Sequence, residues 1–420
     1  MSDAGRWCLP DPARKAHWIA MTSNSYGDGS TRGFDKVPPD VYQPDPAQAG
    51  YPPPQAPQPA GPLGDGQAWP AQPYGRVGPY GSPPYPPPMP VSTSALPDVP
   101  RVYQQILRGP QYRWWKPLLC LVLVLPLTLI MMGLAIVPVL VAGLVSGAPD
   151  LVEYTLRTTS DIANLGPIGF IYLNLTLIVL IPASGLSIWI AHGIRPGYLS
   201  SLAGRIRWRW LLRCVAVILP LWAVYTLLGV LVDPFTSPRP DHWVALLVIV
   251  LLLTPLQAAG EEYFFRGWIM QNVGAWFARP MVGLVVSLAV SAAAFSTAHL
   301  SPDPWILGTI ACLAVASGLA AWWTGGLEAG IVMHAVNNML TLSAVVIFGG
   351  WSQVFVRSDT AGTPVMLLLA VLVNGSALAL ILWQAKRVGL QRYYQPPARP
   401  ISPTSVPPAP AYPLGQYPAP

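Results

Sequence analysis

Gly260-Glu261-Glu262-Tyr263-Phe264-Phe265-Arg266-Gly267 decides how this chain is read. It follows an apolar run, Val244 to Ala259, that contains no charge. Two carboxylates and a guanidinium therefore stand at the end of a membrane segment or inside one. Ionisable groups in that setting are costly, and by default they mark a functional site. Two later segments carry the other candidates for buried chemistry. Phe295-Ser296-Thr297-Ala298-His299 closes one apolar run, and His334-Ala335-Val336-Asn337-Asn338 lies near the start of another. The remainder reads as a scaffold that brings these three pieces together.

Composition sets the fold class. Of 420 residues, 52% are hydrophobic and only 10% charged, with a mean hydropathy of +0.43. A soluble domain carries about 25% charged residues. The expected fold is all-α, a polytopic membrane helix bundle flanked by Pro-rich tails. Of the 50 prolines, 23 lie in residues 1–100 and ten after residue 390. That composition resists a packed core. The expected organisation is a disordered Pro/Gly/Tyr-rich tail over 1–100, a membrane domain over 101–390 with its motif core at 240–345, and a second disordered tail over 391–420. Met21 competes with Met1 as the start, because Met1–Ala20 resembles neither the tail nor a targeting segment. The four cysteines (Cys8, Cys120, Cys214, Cys312) show no paired spacing and read as small core residues. A net charge of +6 points to topology and not to nucleic acid, because the basic residues concentrate in alternate loops.

Runs of roughly 18 or more apolar residues are candidate membrane helices. They fall near 117–145, 164–191, 211–231, 243–262, 281–300, 305–324, 328–349 and 364–384. Arg101, Arg108, Arg113 and Lys116 precede the first run, Arg195 to Arg213 fill the third loop, and Lys386, Arg387 and Arg392 follow the last. Acidic or neutral loops alternate with these, so both tails are expected in the cytoplasm of a multi-pass cell-membrane protein. Arg205 to Arg213 read as an interfacial anchor. His192 and His242 read as interfacial residues.

A plain hydropathy reading separates the polar groups. If one helix ended at Glu262 and the next rose from Met281, the carboxylates and His299 would stand roughly 28 Å apart. A longer helix removes the conflict. Tyr263 to Ala278 holds good helix formers and no proline, so the turn falls at Arg279-Pro280. Glu262 and His299 then stand at nearly equal height in an antiparallel hairpin, and His334 reaches the same layer, about 12 Å inside the bilayer. Glu262 and Arg266 are i,i+4 with the acid first, the favourable order. Glu261 points to another face. Phe295 shares a face with His299, and His334 with Asn338.

The three segments resemble the motifs of the CPBP family (CAAX proteases and bacteriocin-processing enzymes, the type II CAAX prenyl endopeptidase-like group). That pattern is Glu-Glu-x-x-x-Arg, Phe-x-x-x-His and His-x-x-x-Asn. Here it is carried by Glu261, Glu262 and Arg266, by Phe295 and His299, and by His334 and Asn338. The resemblance implies an eight-helix intramembrane endopeptidase whose cavity opens to the cytoplasm. It implies that Glu261 and His299 activate a water while His334 and Asn338 stabilise the oxyanion. It also implies a protein or peptide substrate, lipidated in the eukaryotic members.

The residue types suit that chemistry. Peptide hydrolysis needs a base for water and donors for the developing oxyanion. A carboxylate out of water is a stronger base, and neighbouring cations temper the effect. No cofactor is required on this reading. A zinc alternative would take Glu261, His299 and His334 as ligands with water fourth. It ranks second, because the chain has no His-Glu-x-x-His helix. The competing class is a non-enzymatic membrane scaffold or immunity-type factor, or a small-molecule transporter, using the same polar layer. Transporters commonly show internal repeats, and none is evident between the halves of this chain.

Overall fold

The structure is a computed structural model and describes residues 94–161, 165–235, 237–355 and 361–397. The Pro-rich tails expected over 1–100 and 391–420 fall outside these residues, apart from 94–100 and 391–397. Cys8, His17 and Met21 also lie outside. The described residues are helical and contain no strand, only two isolated bridges.

The membrane-length helices are α1 (Lys116–Val145), α3 (Pro167–His192), α4 (Trp208–Val232), α7 (Pro280–Thr297), α8 (Pro304–Thr324), α9 (Glu328–Phe348) and α10 (Pro364–Arg387). A short amphipathic helix, α2 (Leu151–Ser160), lies between the first two. The remaining span is a bent pair, α5 (Trp243–Leu252) and α6 (Thr254–Ala275), meeting at 40°. Pro255 accounts for the bend, since it lacks an N–H and its ring clashes with the carbonyl a turn earlier. Counting the pair as one, the described residues hold eight apolar spans, as the hydropathy pattern predicts. Large apolar side chains point outward. Leu129, Ile130 and Leu134 of α1 are 69%, 65% and 66% exposed, the inverse of a water-soluble surface.

The hairpin expected from the equal-depth argument is present. Helix α6 runs past the carboxylates to Ala275, the turn ends at Arg279, and Pro280 opens α7. Ser291 of α7 donates to the Phe265 carbonyl at 2.8 Å, which fixes the register of the two helices. The stretch Tyr263–Ile269 of α6 is a π-turn, wider than the plain helix that the i,i+4 spacing suggests. Such widened turns concentrate at functional sites. This one begins directly after Glu262 and carries Arg266.

Two further devices set the frame. Arg207, expected as an interfacial anchor, turns inward. Its Nε and Nη2 meet the two oxygens of Glu328 at 2.8 and 2.6 Å, and its main-chain N–H donates to Oε1 at 2.9 Å. Glu328 has no exposure. This bidentate pair locks the start of α4 to the start of α9, the helix that carries His334 and Asn338. The second device is the strap before α1. Gln104 and Gln105 are buried and donate from Nε2 to the carbonyls of Pro280 (3.0 Å) and Phe277 (2.8 Å) at the hairpin tip. Arg108 donates to the Ala275 carbonyl at 2.6 Å. Burial pushes the Tyr103 phenol well above its usual range, so it stays protonated and donates to the Leu199 carbonyl. Arg101 pairs through its backbone with Tyr394, so the two ends of the bundle lie side by side. That arrangement requires an even number of crossings.

The strap satisfies carbonyls that the end of α6 leaves open. Gln105→Ala is expected to lower stability by about 1–3 kcal/mol, because a buried acceptor loses its donor. Unfolding of the detergent-solubilised protein measures it.

Candidate active site

The carboxylate pair is built by a close approach of backbones. A Cβ on Gly260 would lie 2.1 Å from the Leu177 carbonyl oxygen, so only glycine lets α6 touch α3 here. Glu262 then points into the bundle with no exposure. Its Oε1 lies 3.1 Å from Arg266 Nη1 and 3.1 Å from His334 Nδ1. Its Oε2 faces Gly330 of α9, where a Cβ would sit 2.8 Å away. Arg266, also without exposure, lies with its guanidinium 4.0 Å from the centroid of the Phe295 ring. A desolvated cation over an aromatic face gains about 2 kcal/mol or more. Phe295 also packs edge-on against His299 at 5.0 Å and His334 at 5.6 Å between centroids. One aromatic ring of α7 thus bears on all three motifs.

Glu261 faces the other way, as its register requires. Its Oε2 is 3.2 Å from His334 Nε2, and its side chain keeps 13% exposure. His334 is therefore held between the two carboxylates, one on each ring nitrogen. His299 is half-buried, and its Nδ1 contacts the Phe295 carbonyl at 2.9 Å. A carbonyl only accepts, so Nδ1 carries the hydrogen and the neutral ring has its free lone pair on Nε2.

Glu261, His299, His334 and Asn338 all line one cavity of about 660 Å³. Its walls are mixed: Phe170, Leu177, Phe264 and Leu313 are apolar, while Thr254, Gln257 and Asn337 are polar. Asn338 Nδ2 faces Gln257 Oε1 at 3.4 Å. The structure thus brings together all six residues singled out in the sequence. Glu261, His299, His334 and Asn338 reach the cavity, while Glu262 and Arg266 lie behind them. Sequence reasoning passed over Gln257, Asn337 and Gly330, which are uncharged, and Glu328, whose partner lies in a distant loop. His192, expected at the interface, is buried with Nε2 3.3 Å from Asn272 Oδ1, away from this cavity.

The zinc alternative fits this arrangement poorly. Among the described residues no three His, Cys, Asp or Glu side chains converge as a ligand group. Both His334 nitrogens already face carboxylates, at 3.1 and 3.2 Å, so a metal at Nε2 would have to come between His334 and Glu261.

Gly330 supplies a direct check of the packing around Glu262. Gly330→Ala is expected to displace the Glu262 carboxylate from Arg266 and His334, lowering the thermal midpoint by several degrees.

The same segment is matched from outside. Residues 241–340 match the family described as type II CAAX prenyl endopeptidase Rce1-like. An uncharacterized protein of Bacillus subtilis (strain 168), YyaK, is 26% identical over 158 residues, covering 35% of this chain and 51% of that relative. The match thus spans about half the length of the curated relative. No solved structure matches. The similarity to the Rce1-like, CAAX-protease family thus covers residues 241–340, the segment that carries all three motifs.

Proposed function

We propose that this protein is an intramembrane endopeptidase that hydrolyses a peptide bond with a water activated by Glu261. The observation that carries the reading is the placement of Glu261. It is a carboxylate held by His334 at 3.2 Å on the wall of a cavity inside a membrane bundle, with His299 and Asn338 on the same cavity. A water between Glu261 and His299 Nε2 attacks the scissile carbonyl. Its oxygen bonds to carbon, and its proton passes to Glu261. The carbonyl oxygen becomes an oxyanion and accepts from Asn338 Nδ2–H. Collapse breaks the C–N bond, and the leaving amine takes the proton from Glu261.

His334 has a different weight here from the one the family resemblance implies. With both nitrogens turned to carboxylates, it serves best to orient Glu261, and the oxyanion falls to Asn338. Glu262 and Arg266 support this pair and do not contact substrate. The reading requires no metal. The cavity opens to the cytoplasm and both tails lie there, on the strength of the alternating basic loops. The substrate is a membrane-associated protein or peptide, and prenylated Cys-terminal sequences are the first class to test.

Quenched fluorogenic peptides, with and without a prenylated cysteine, assay the purified protein. Glu261→Gln is expected to lower cleavage by about 10²–10⁴-fold while the protein still folds. Full activity in that variant rules out Glu261 as the base, and no cleavage of any peptide by the native protein favours the scaffold or transporter class.

Glu262→Gln behaves differently. It leaves a fully buried guanidinium uncompensated and is expected to cost about 3–5 kcal/mol of stability as well as activity. Unfolding curves of the two variants, side by side, separate the roles.

Chelation provides the third check. A strong chelator is expected to leave the cleavage rate unchanged. Loss of activity that zinc restores would make Glu261 and the histidines ligands instead.

A further inference from the structure

A chain of side-chain hydrogen bonds runs from the core of the bundle to the oxyanion donor. Trp222 of α4 is buried, 1% exposed, and its Nε1–H donates to Asn337 Oδ1 at 3.0 Å. Asn337 Nδ2 donates to Asn338 Oδ1 at 3.0 Å. Asn338 Nδ2 faces Gln257 Oε1 at 3.4 Å and the cavity.

The direction of this chain matters chemically. A carboxamide has an accepting end and a donating end of nearly equal shape, and its orientation follows from its partners. Asn337, Asn338 and Gln257 taken alone could bond in either direction. Reversed, Gln257 would donate to Asn338 Oδ1, and Asn338 would turn its oxygen towards the substrate. An oxygen there repels an oxyanion. Only one member of the chain lacks this ambiguity. Indole Nε1–H donates and never accepts. It forces the Asn337 oxygen towards α4, which turns the Asn337 amide nitrogen to Asn338 and the Asn338 amide nitrogen to the cavity.

We propose that Trp222, acting through Asn337, is a positioning residue that sets the donor polarity of Asn338. The inference rests on the proposed peptidase reading for its consequence, but not for its structural content. Preorganised donors are worth most where no reorientation is needed at the moment of reaction. Trp222 supplies that preorganisation without touching substrate. Its helix α4 is the one that Arg207 and Glu328 lock to α9, which keeps donor and acceptor in register.

The test has an arm that needs no activity. In ¹⁵N-tryptophan-labelled protein, the Trp222 indole N–H resonance is identified by its loss in Trp222→Phe. Asn337→Leu is expected to shift that resonance upfield and to speed its exchange with solvent. A resonance indifferent to Asn337→Leu overturns the chain.

The kinetic arm uses the fluorogenic peptide assay. Asn337→Asp keeps the shape of Asn337 and its acceptor for Trp222 but removes the donor to Asn338, so the Asn338 amide reverses. It is expected to lower kcat by about 10²-fold, the worth of one oxyanion donor, with KM little changed. Trp222→Phe is expected to lower kcat several-fold. In an Asn338→Ala background neither substitution is expected to lower kcat further, because contacting residues that act through one another are not additive. Equal losses in both backgrounds overturn the proposal and make the effect one of packing or charge. A native protein with no Glu261-dependent cleavage counts against the peptidase reading alone, and the resonance arm still decides the chain.

Discussion

A carboxylate with no access to solvent, in the middle of an apolar bundle, has to be paired, and Glu262 is that carboxylate. Both Arg266 and His334 reach a single one of its oxygens at 3.1 Å. The cost of removing these charges from water is recovered only if the geometry is good and the neighbours are fixed. Much of the surrounding structure can be read as fixing them. The Phe295 ring backs the guanidinium. Gly330 makes room for the second oxygen, and Gly260 lets α6 approach α3 closely enough to bury the group at all. The π-turn that starts after Glu262 sets where Arg266 lands.

The buried layer then gives the residues at the cavity wall a direction. His334 is clamped by Glu262 on one nitrogen, so its other nitrogen has one place to point, and Glu261 stands there. The depth of His334 is set in turn from below, where Glu328 begins α9 and Arg207 grips it. Asn338 lies one turn beyond His334 on the same helix, so one buried ion pair at the start of α9 positions both residues. The amide chain from Trp222 adds orientation to position.

Much of this was legible in the sequence because cost leaves a trace. Charge-free runs long enough to span a bilayer mark the helices, and Arg279-Pro280 marks the turn once Glu262 and His299 are required to meet. The three motifs are visible because ionisable residues in apolar runs are rare. What escaped has the opposite character. Gln104 and Gln105 sit beside a Pro-rich stretch and look like its continuation, although they cap the hairpin. Arg207 looks like any loop arginine, because its partner Glu328 is remote in sequence. Trp222, Asn337 and Gln257 are uncharged and sit in apolar runs, where nothing but tertiary contact distinguishes them. The π-turn over Tyr263–Ile269 is a backbone feature with no side-chain signature.

The central claim is that Glu261 activates a water and does not itself attack. A single turnover of a cleaved fluorogenic peptide in H₂¹⁸O tests it most directly, with mass spectrometry of both the product and the peptide containing Glu261. The account predicts one ¹⁸O in the new carboxylate of the product and none in Glu261. Label in the Glu261 side chain would show a carboxylate nucleophile and an acyl intermediate, and would contradict it.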